Sequence, residues 1–316
     1  MPTTRASKGP SGRHLQDHDG YRVVRHPTHP RLYHLTLQAD RLRAFFAATK
    51  DINVQNLEYV PYMRFILAQK LMECVDSSLQ ETICAIVRDR DSGGFTIGVE
   101  GVTTHHDDYI KFGTAVGHLI GPANFDAMSG TYYVCFTVEH TDNSDSYLRQ
   151  AYRTMALHTD GTFVSEKTDW LLMMKFAERN AIGGESRLVH LDDWEQLETF
   201  SKHPLASHMF TYKSPPSKNV GQTVQRPTFF YVDGKPCICF IDQFVCPETL
   251  EQAAYLNDLL NALENSSATK AISLPMGDLV VLNNLHWMHG RAAFERNPEL
   301  HRELMRQRGT FSPLGN

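Results

Sequence analysis

Five times in this chain a histidine is followed two positions later by an aspartate: His105/Asp107, His106/Asp108, His140/Asp142, His158/Asp160 and His190/Asp192. Alternate residues of a strand point to one face, so His-x-Asp on a strand sets a ring nitrogen beside a carboxylate. A second histidine from a distant strand completes a 2-His-1-carboxylate triad, which leaves positions open on Fe(II) for a co-substrate and oxygen. The same donor set also suits zinc.

The five pairs are not equivalent. His105 to Asp108 read as a helix start, where acidic side chains meet the positive end of the dipole. Positions two apart diverge on a helix, so they make a poor metal pair. His190-Leu191-Asp192 leads into a helix near Trp194, with Asp192 or Asp193 as its N-cap. His140-Thr141-Asp142 runs into Asn-Ser-Asp-Ser, which reads as a strand end entering a turn-rich loop. His158-Thr159-Asp160 differs, because it follows the apolar Met155-Ala156-Leu157 and precedes Gly161. A glycine there admits close approach of backbone or ligand, so this pair is expected to carry the chemistry.

The expected third ligand is His289, with His286 as its competitor. It lies near the end of the strand-like GDLVVLNNLHWMHGR and is followed by Gly290-Arg291. Downstream come Arg296, Arg302, Arg306 and Arg308. In ELMRQRGTF, Arg306 and Arg308 share a face of a strand, and paired guanidinium forks grip carboxylates bidentately. The plainer alternative is a charged edge strand.

These residues need elements to position them. Apolar spacing near 3.6 predicts helices over 39–49, 61–75 and 106–120, and polar-start helices over 191–202 and 247–266. The stretches 130–140, 277–291 and 303–311 read as strands, and 227–244 as two strands around Asp233-Gly234, a hairpin signal. Many non-local strands decorated by helices predict an α+β chain with a double-sheet jelly-roll core, a double-stranded β-helix with flanking helices. No repeat or interdomain linker is visible, so residues 21–316 read as one domain after a disordered lead-in over 1–20. No G-x-G-x-x-G or Walker sequence follows a strand.

Bulk properties exclude several classes. The 316 residues are 41% hydrophobic, enough for a sizeable core, and the formal charge is −5. No basic field invites nucleic acid or an anionic membrane, so an anionic substrate must be held by local arginines. No apolar run approaches the ~20 residues of a membrane-spanning helix, and the N-terminus lacks the apolar core of a secretory signal. Cys74, Cys84 and Cys135 read as small core residues, and Cys246 as a loop residue. Cys237-Ile238-Cys239 lacks a partner pair for zinc and reads as strand. The expected compartment is the cytoplasm.

HTDGTF, GGES (183–186), GDLVVLNNLHWMHGR and RELMRQRGTF stand in the order seen in Fe(II)/2-oxoglutarate-dependent oxygenases of the taurine dioxygenase and clavaminate synthase type. HLIGPANFDAMSGTYY (118–133), DNSDSYLRQ (142–150), HLDDWE (190–195), PPSKNV (215–220) and FIDQF (240–244) extend the likeness. Within that superfamily, from about residue 21 almost to the C-terminus, the chain resembles the carbon-starvation-induced family of glutarate 2-hydroxylases. The resemblance implies a distorted jelly roll with Fe(II) held by His158, Asp160 and His289 and chelated by 2-oxoglutarate. It implies that an arginine after the distal histidine, Arg308 or Arg306, meets the far carboxylate of 2-oxoglutarate. Both sit farther past His289 than in most of the superfamily. Ser186 stands where a threonine of the wider superfamily helps hold the same carboxylate.

The implied reaction is hydroxylation of glutarate, a small dicarboxylate, at carbon 2 to L-2-hydroxyglutarate, with 2-oxoglutarate and O2 becoming succinate and CO2. The implied assembly is a homotetramer. Two dianions close together need more than one cationic group, so Arg306 and Arg308 are expected to divide them. Tyr147 and Arg149 are candidates for a loop over the substrate, and Asn124 is a further one that also reads as a turn residue. The rival readings are an oxygenase of the same fold acting on another carboxylate or sulfonate, a non-catalytic metal-binding jelly roll, and a zinc hydrolase.

Overall fold

The computed structural model describes residues 12–127, 129–140, 151–214 and 221–313, a mixed α+β structure. An eight-stranded sheet runs in the order β1 (Gln16–Asp17), β2 (Tyr21–Arg25), β3 (Tyr33–Leu37), β4 (Gly94–Gly98), β15 (Asp278–Asn283), β7 (Trp170–Arg179), β17 (His301–Gly309), β5 (Val134–Glu139). A four-stranded sheet runs β14 (Lys270–Ile272), β8 (Ser186–His190), β16 (Trp287–Arg291), β6 (Met155–His158). Their inner faces meet through Leu188, Ile272 and Trp287 on one side and Val280 and Leu282 on the other.

The outer face of the large sheet is covered by α1 (Ala39–Ala48), α2 (Val54–Tyr59), α3 (Tyr62–Cys74), α4 (Leu79–Arg88) and α5 (His106–Ile120). From Tyr109 to Ile120 every residue of α5 is buried. It lies close behind β17: a Cβ on Gly117 would stand 2.8 Å from the Gln307 side chain and 3.2 Å from Trp170. Gln307 donates to the Thr114 hydroxyl at 3.1 Å. With Met305 and Gln307 turned to α5, the strand's alternation sends Arg302, Arg306 and Arg308 to the opposite, inner face.

The small sheet is backed by α6 (Leu197–Ser201), α7 (Leu250–Glu264) and two minor sheets. One minor sheet joins β9 (Phe210–Lys213), β10 (Thr223–Arg226) and β13 (Val245–Cys246); the other is the hairpin of β11 (Phe229–Val232) and β12 (Lys235–Ile238). Asp233 and Gly234 close that hairpin with φ of 49° and 70°, the turn that Asp-Gly predicts.

Several expectations need correction. The strand expected over 277–291 is two strands in different sheets, divided at Asn284-Leu285-His286. Part of the expected lead-in is fixed, since Gln16–Asp17 pairs with Arg22 and Val23 while His14 reaches Asp89 at 2.8 Å. The helix expected over 191–202 is a 3-10 turn, Leu191–Asp193, followed by α6. Asp192 and Asp193 do not cap it; they pair with Arg90 and Arg31 at 2.6 and 2.5 Å. Their partners come from the remote α4–β4 and β2–β3 connections, which local spacing does not show.

Candidate metal centre

His158 closes β6 and stands directly opposite His289 on β16. The two rings lie 4.2 Å apart between centroids. Asp160 follows just past the strand end, with Oδ2 3.9 Å from His289 Nε2. One donor atom from each residue falls within 4.8 Å of the others, and among the described residues this is the one such group. The sequence-chosen pair and its distant histidine are thus brought together, whereas His286 lies elsewhere, 4.9 Å from the His190 ring.

Each ligand is prepared for a cation. His158 Nδ1 donates to the Ala156 carbonyl at 2.8 Å, which leaves Nε2 as the ring nitrogen available to an ion. Burial, then the neighbouring His158, pushes His289 down to about 3, so its ring is neutral. Burial alone would raise the Asp160 carboxyl, but the Arg306 guanidinium beside it, with Arg308, holds it well below the usual range. Arg306 Nη1 donates to Asp160 Oδ1 at 3.0 Å. Asp160 Oδ2 is buried with no hydrogen-bond partner among the described residues. An ionised, buried, unpartnered oxygen beside two imidazoles is costly unless a cation takes it. The donor set fits a divalent ion with open positions.

The chain around Asp160 is held from behind. Asn284, at the break between β15 and β16, accepts from the Asp160 N–H at 2.9 Å and donates to its carbonyl at 3.0 Å. The same amide donates to the Thr168 carbonyl at 3.0 Å. Gly161 has φ 74°, and a Cβ there would lie 2.1 Å from the Thr168 hydroxyl and 3.1 Å from Arg308 Nη1. Thr168, Gly161 and Arg308 therefore converge beside the triad. A cavity of about 180 Å³ opens against Asp160, lined among others by Thr168, Arg226, Phe230 and Leu285.

The arginines form two groups. Arg306 also donates to Asp126 Oδ2 at 3.0 Å, and Arg308 Nε lies 3.8 Å from the same oxygen. Burial, then Arg306, lowers Arg308 from its ordinary value. Its Nε has no hydrogen-bond partner among the described residues. Farther along β17, Arg302 Nη1 donates to the Gly184 carbonyl, and its Nε lies 3.5 Å from Glu178. Arg291 shares Phe294 with it, the two guanidinium carbons lying 4.8 and 5.5 Å from the ring centre. Burial, then Arg302, brings Arg291 down to about 10.

The other expected residues scatter. Ser186 is buried opposite Arg291 on β16, in the segment whose Gly184 carbonyl takes Arg302, and not beside Arg306 or Arg308. The Asn124 side chain is spent on the Lys167 carbonyl at 2.9 Å, and its N–H donates to the Arg308 carbonyl at 2.8 Å. It ties a connection to the end of β17. Tyr147 and Arg149 lie outside the described residues. Sequence reasoning missed Asp126, Thr168 and Asn284 and passed over Arg302. Only Asn284 carried a signal, as half of an Asn-Asn pair interrupting an apolar run.

Comparison with known proteins agrees with this geometry. Glutarate 2-hydroxylase of Salmonella paratyphi B is 45% identical over 301 residues, covering 94% of this chain and 92% of that protein. The Citrobacter koseri protein of the same name is 47% identical over 287 residues, covering 90% and 88%. The fold is similar to that of asparagine oxygenase, with a TM-score of 0.70, 14% identity and coverage of 88% of this chain and 93% of that one. It is also similar to the non-heme iron oxygenase OrfP solved with Fe and alpha-ketoglutaric acid, at TM-score 0.63, 14% identity and coverage of 87% and 93%. The CsiD family model matches residues 21–311. The chain belongs to the CsiD family.

Proposed function

We propose that the chain is an Fe(II)- and 2-oxoglutarate-dependent dioxygenase that hydroxylates glutarate at carbon 2, giving L-2-hydroxyglutarate. The observation that carries this reading is the buried set His158, Asp160 and His289, with its orphaned carboxylate oxygen, in a chain whose relatives are glutarate 2-hydroxylases. Iron with bound 2-oxoglutarate supplies oxygen activation for C–H hydroxylation, with 2-oxoglutarate and O2 ending as succinate and CO2. The chain's own residues bind and position. His158, His289 and Asp160 would hold the ion, and no protein base is needed. Burial of the set keeps bulk water from the reacting centre.

Two dicarboxylates must lie side by side, and each needs its own cationic partner. The separate groups Arg306/Arg308 and Arg302/Arg291 fit that demand. Arg308, with its unpartnered Nε and the Thr168 hydroxyl near by, can take a carboxylate, as the sequence expectation for 2-oxoglutarate has it. The position of Ser186 favours a second allocation. If Ser186 and a β17 arginine hold the same carboxylate, the arginine beside the Gly183–Ser186 segment is Arg302. In that allocation 2-oxoglutarate reaches toward Arg302, and Arg306 and Arg308 serve glutarate, with Tyr147 and Arg149 as candidates for the covering loop.

The two facing sheets are read as the double-stranded β-helix of a jelly roll, the chain from β1 onward as one domain, and the assembly as a cytoplasmic homotetramer. No helix of the described residues is long and apolar enough to cross a membrane. Light scattering on the purified protein measures the assembly. The test of function is succinate release with and without glutarate: it must depend on glutarate and match 2-hydroxyglutarate mole for mole. Succinate formation indifferent to glutarate, or supported better by another carboxylate or a sulfonate, would sink the substrate assignment.

A further inference from the structure

The arginine pair has a partner that is itself an acid. Asp126 lies in the connection between α5 and β5 and is 4% exposed. Backbone bonds fix its place: its N–H donates to the Thr131 carbonyl at 2.6 Å, and its own carbonyl accepts from Gly130 at 2.9 Å. Just upstream, Ala123 bridges Gly309, and Asn124 bonds the Arg308 carbonyl. The connection is therefore laid on the end of β17 where the arginines stand. Arg306 spans two carboxylates, Nη1 to Asp160 Oδ1 and Nη2 to Asp126 Oδ2, both at 3.0 Å. Its guanidinium carbon lies 4.9 Å from the Phe136 ring centre.

A guanidinium fork released from one of two acids turns both nitrogens to the other, since bidentate pairing is its preferred geometry. Without Asp126, Arg306 would be free to take both oxygens of Asp160, including the one that faces the histidines. Its full positive charge would also face the cation. We propose that Asp126 is a positioning residue for the metal centre: by sharing Arg306 with Asp160, it keeps the guanidinium on Oδ1 and leaves Oδ2 to the ion. This inference rests on reading His158, Asp160 and His289 as the metal site.

The test is Mn(II) binding by titration calorimetry, with no 2-oxoglutarate and no turnover. Asp126→Asn should weaken Mn(II) at least fivefold relative to the unaltered protein, because Arg306 then competes with the ion for Asp160 Oδ2. The double variant Asp126→Asn/Arg306→Gln removes the acid together with the cation it restrains, and should bind within about threefold of Arg306→Gln alone and more tightly than Asp126→Asn. Less than fivefold weakening in Asp126→Asn overturns the proposal. So does a double variant as weak as the single one, because Asp126 would then act through folding rather than through Arg306. Should Asp126→Asn not fold, the double variant decides against Arg306→Gln: equal affinity supports the proposal, and a further fivefold or greater weakening overturns it. An unaltered protein that binds no Mn(II) refutes the metal-site reading itself, which is a different failure.

Discussion

The side-chain amide of Asn284 closes both backbone groups of Asp160, accepting from its N–H at 2.9 Å and donating to its carbonyl at 3.0 Å. One side chain thus fixes the peptide that carries the only carboxylate of the triad. It does so from the point where the chain leaves the large sheet for the small one. Asn284→Ala leaves buried backbone groups unpaired, at a cost of about 2–4 kcal/mol. The melting temperature of the metal-free protein should fall by roughly 3–6 °C, and Mn(II) affinity with it. Unchanged melting in the variant would mean that another group already satisfies this peptide.

Replacing a ligand should be more severe than disturbing its support. His158→Ala, Asp160→Ala and His289→Ala should each lose metal binding and drop glutarate-dependent succinate release by more than about a hundredfold, beyond the effect of a supporting residue. His286→Ala serves as the contrast. His286 is buried beside His190, their ring centres 4.9 Å apart, so its loss should show as lower stability with metal binding retained. Equal loss of metal in His286→Ala would place the ion elsewhere.

The two arginine groups are separable by kinetics. Lysine keeps the charge but not the fork. If Ser186 and Arg302 share the far carboxylate of 2-oxoglutarate, Arg302→Lys should raise the KM for 2-oxoglutarate about tenfold or more and leave that for glutarate near normal. Arg308→Lys should do the reverse. The opposite assignment of the two effects would restore the allocation expected from sequence, with Arg308 on 2-oxoglutarate.

Acid should destabilise the metal-free protein early. Burial lowers His29 to about 3 and His118 to about 4, and holds His190 and His286 well below their ordinary value. Below the unfolded value near 6.5, the unfolded chain binds protons at these rings and the folded chain does not. Their stability is therefore present above about 6.5 and lost as pH falls, at about 1.4 kcal/mol per pH unit for each ring still neutral in the fold. Asp278 acts in the opposite sense: burial, then Glu100, raises it to about 6, so its contribution is lost as pH rises. Four rings outweigh one carboxyl, and the melting temperature should drop clearly between pH 7.5 and pH 5.0. A flat profile would contradict the neutral, buried state of these histidines.

The triad was legible because its spacing is a backbone property. His158 closes a strand and Asp160 follows just past its end, so the short spacing still sets two donors together, and an apolar run ending in His-Gly-Arg marks a strand end near the site. Helices with a clear apolar period and the Asp233-Gly234 hairpin were legible for the same reason. What supports the triad was not. Asp126 and Thr168 gain their roles from the docking of connections on β17 and Asp160, and Asp192 and Asp193 from remote arginines. Strand alternation predicted that Arg306 and Arg308 share a face, but not that Arg306 would be held by two acids. The break at Asn284 reads locally as a blemish in a strand, although it is the crossing between sheets that carries His289 to His158.

The most direct measurement is anaerobic addition of 2-oxoglutarate to the protein loaded with Fe(II), followed in the visible spectrum. The account predicts a charge-transfer band that saturates at one 2-oxoglutarate per chain and is absent from Asp160→Ala. Fe(II) bound with no band on adding 2-oxoglutarate, or an equal band in Asp160→Ala, would contradict it.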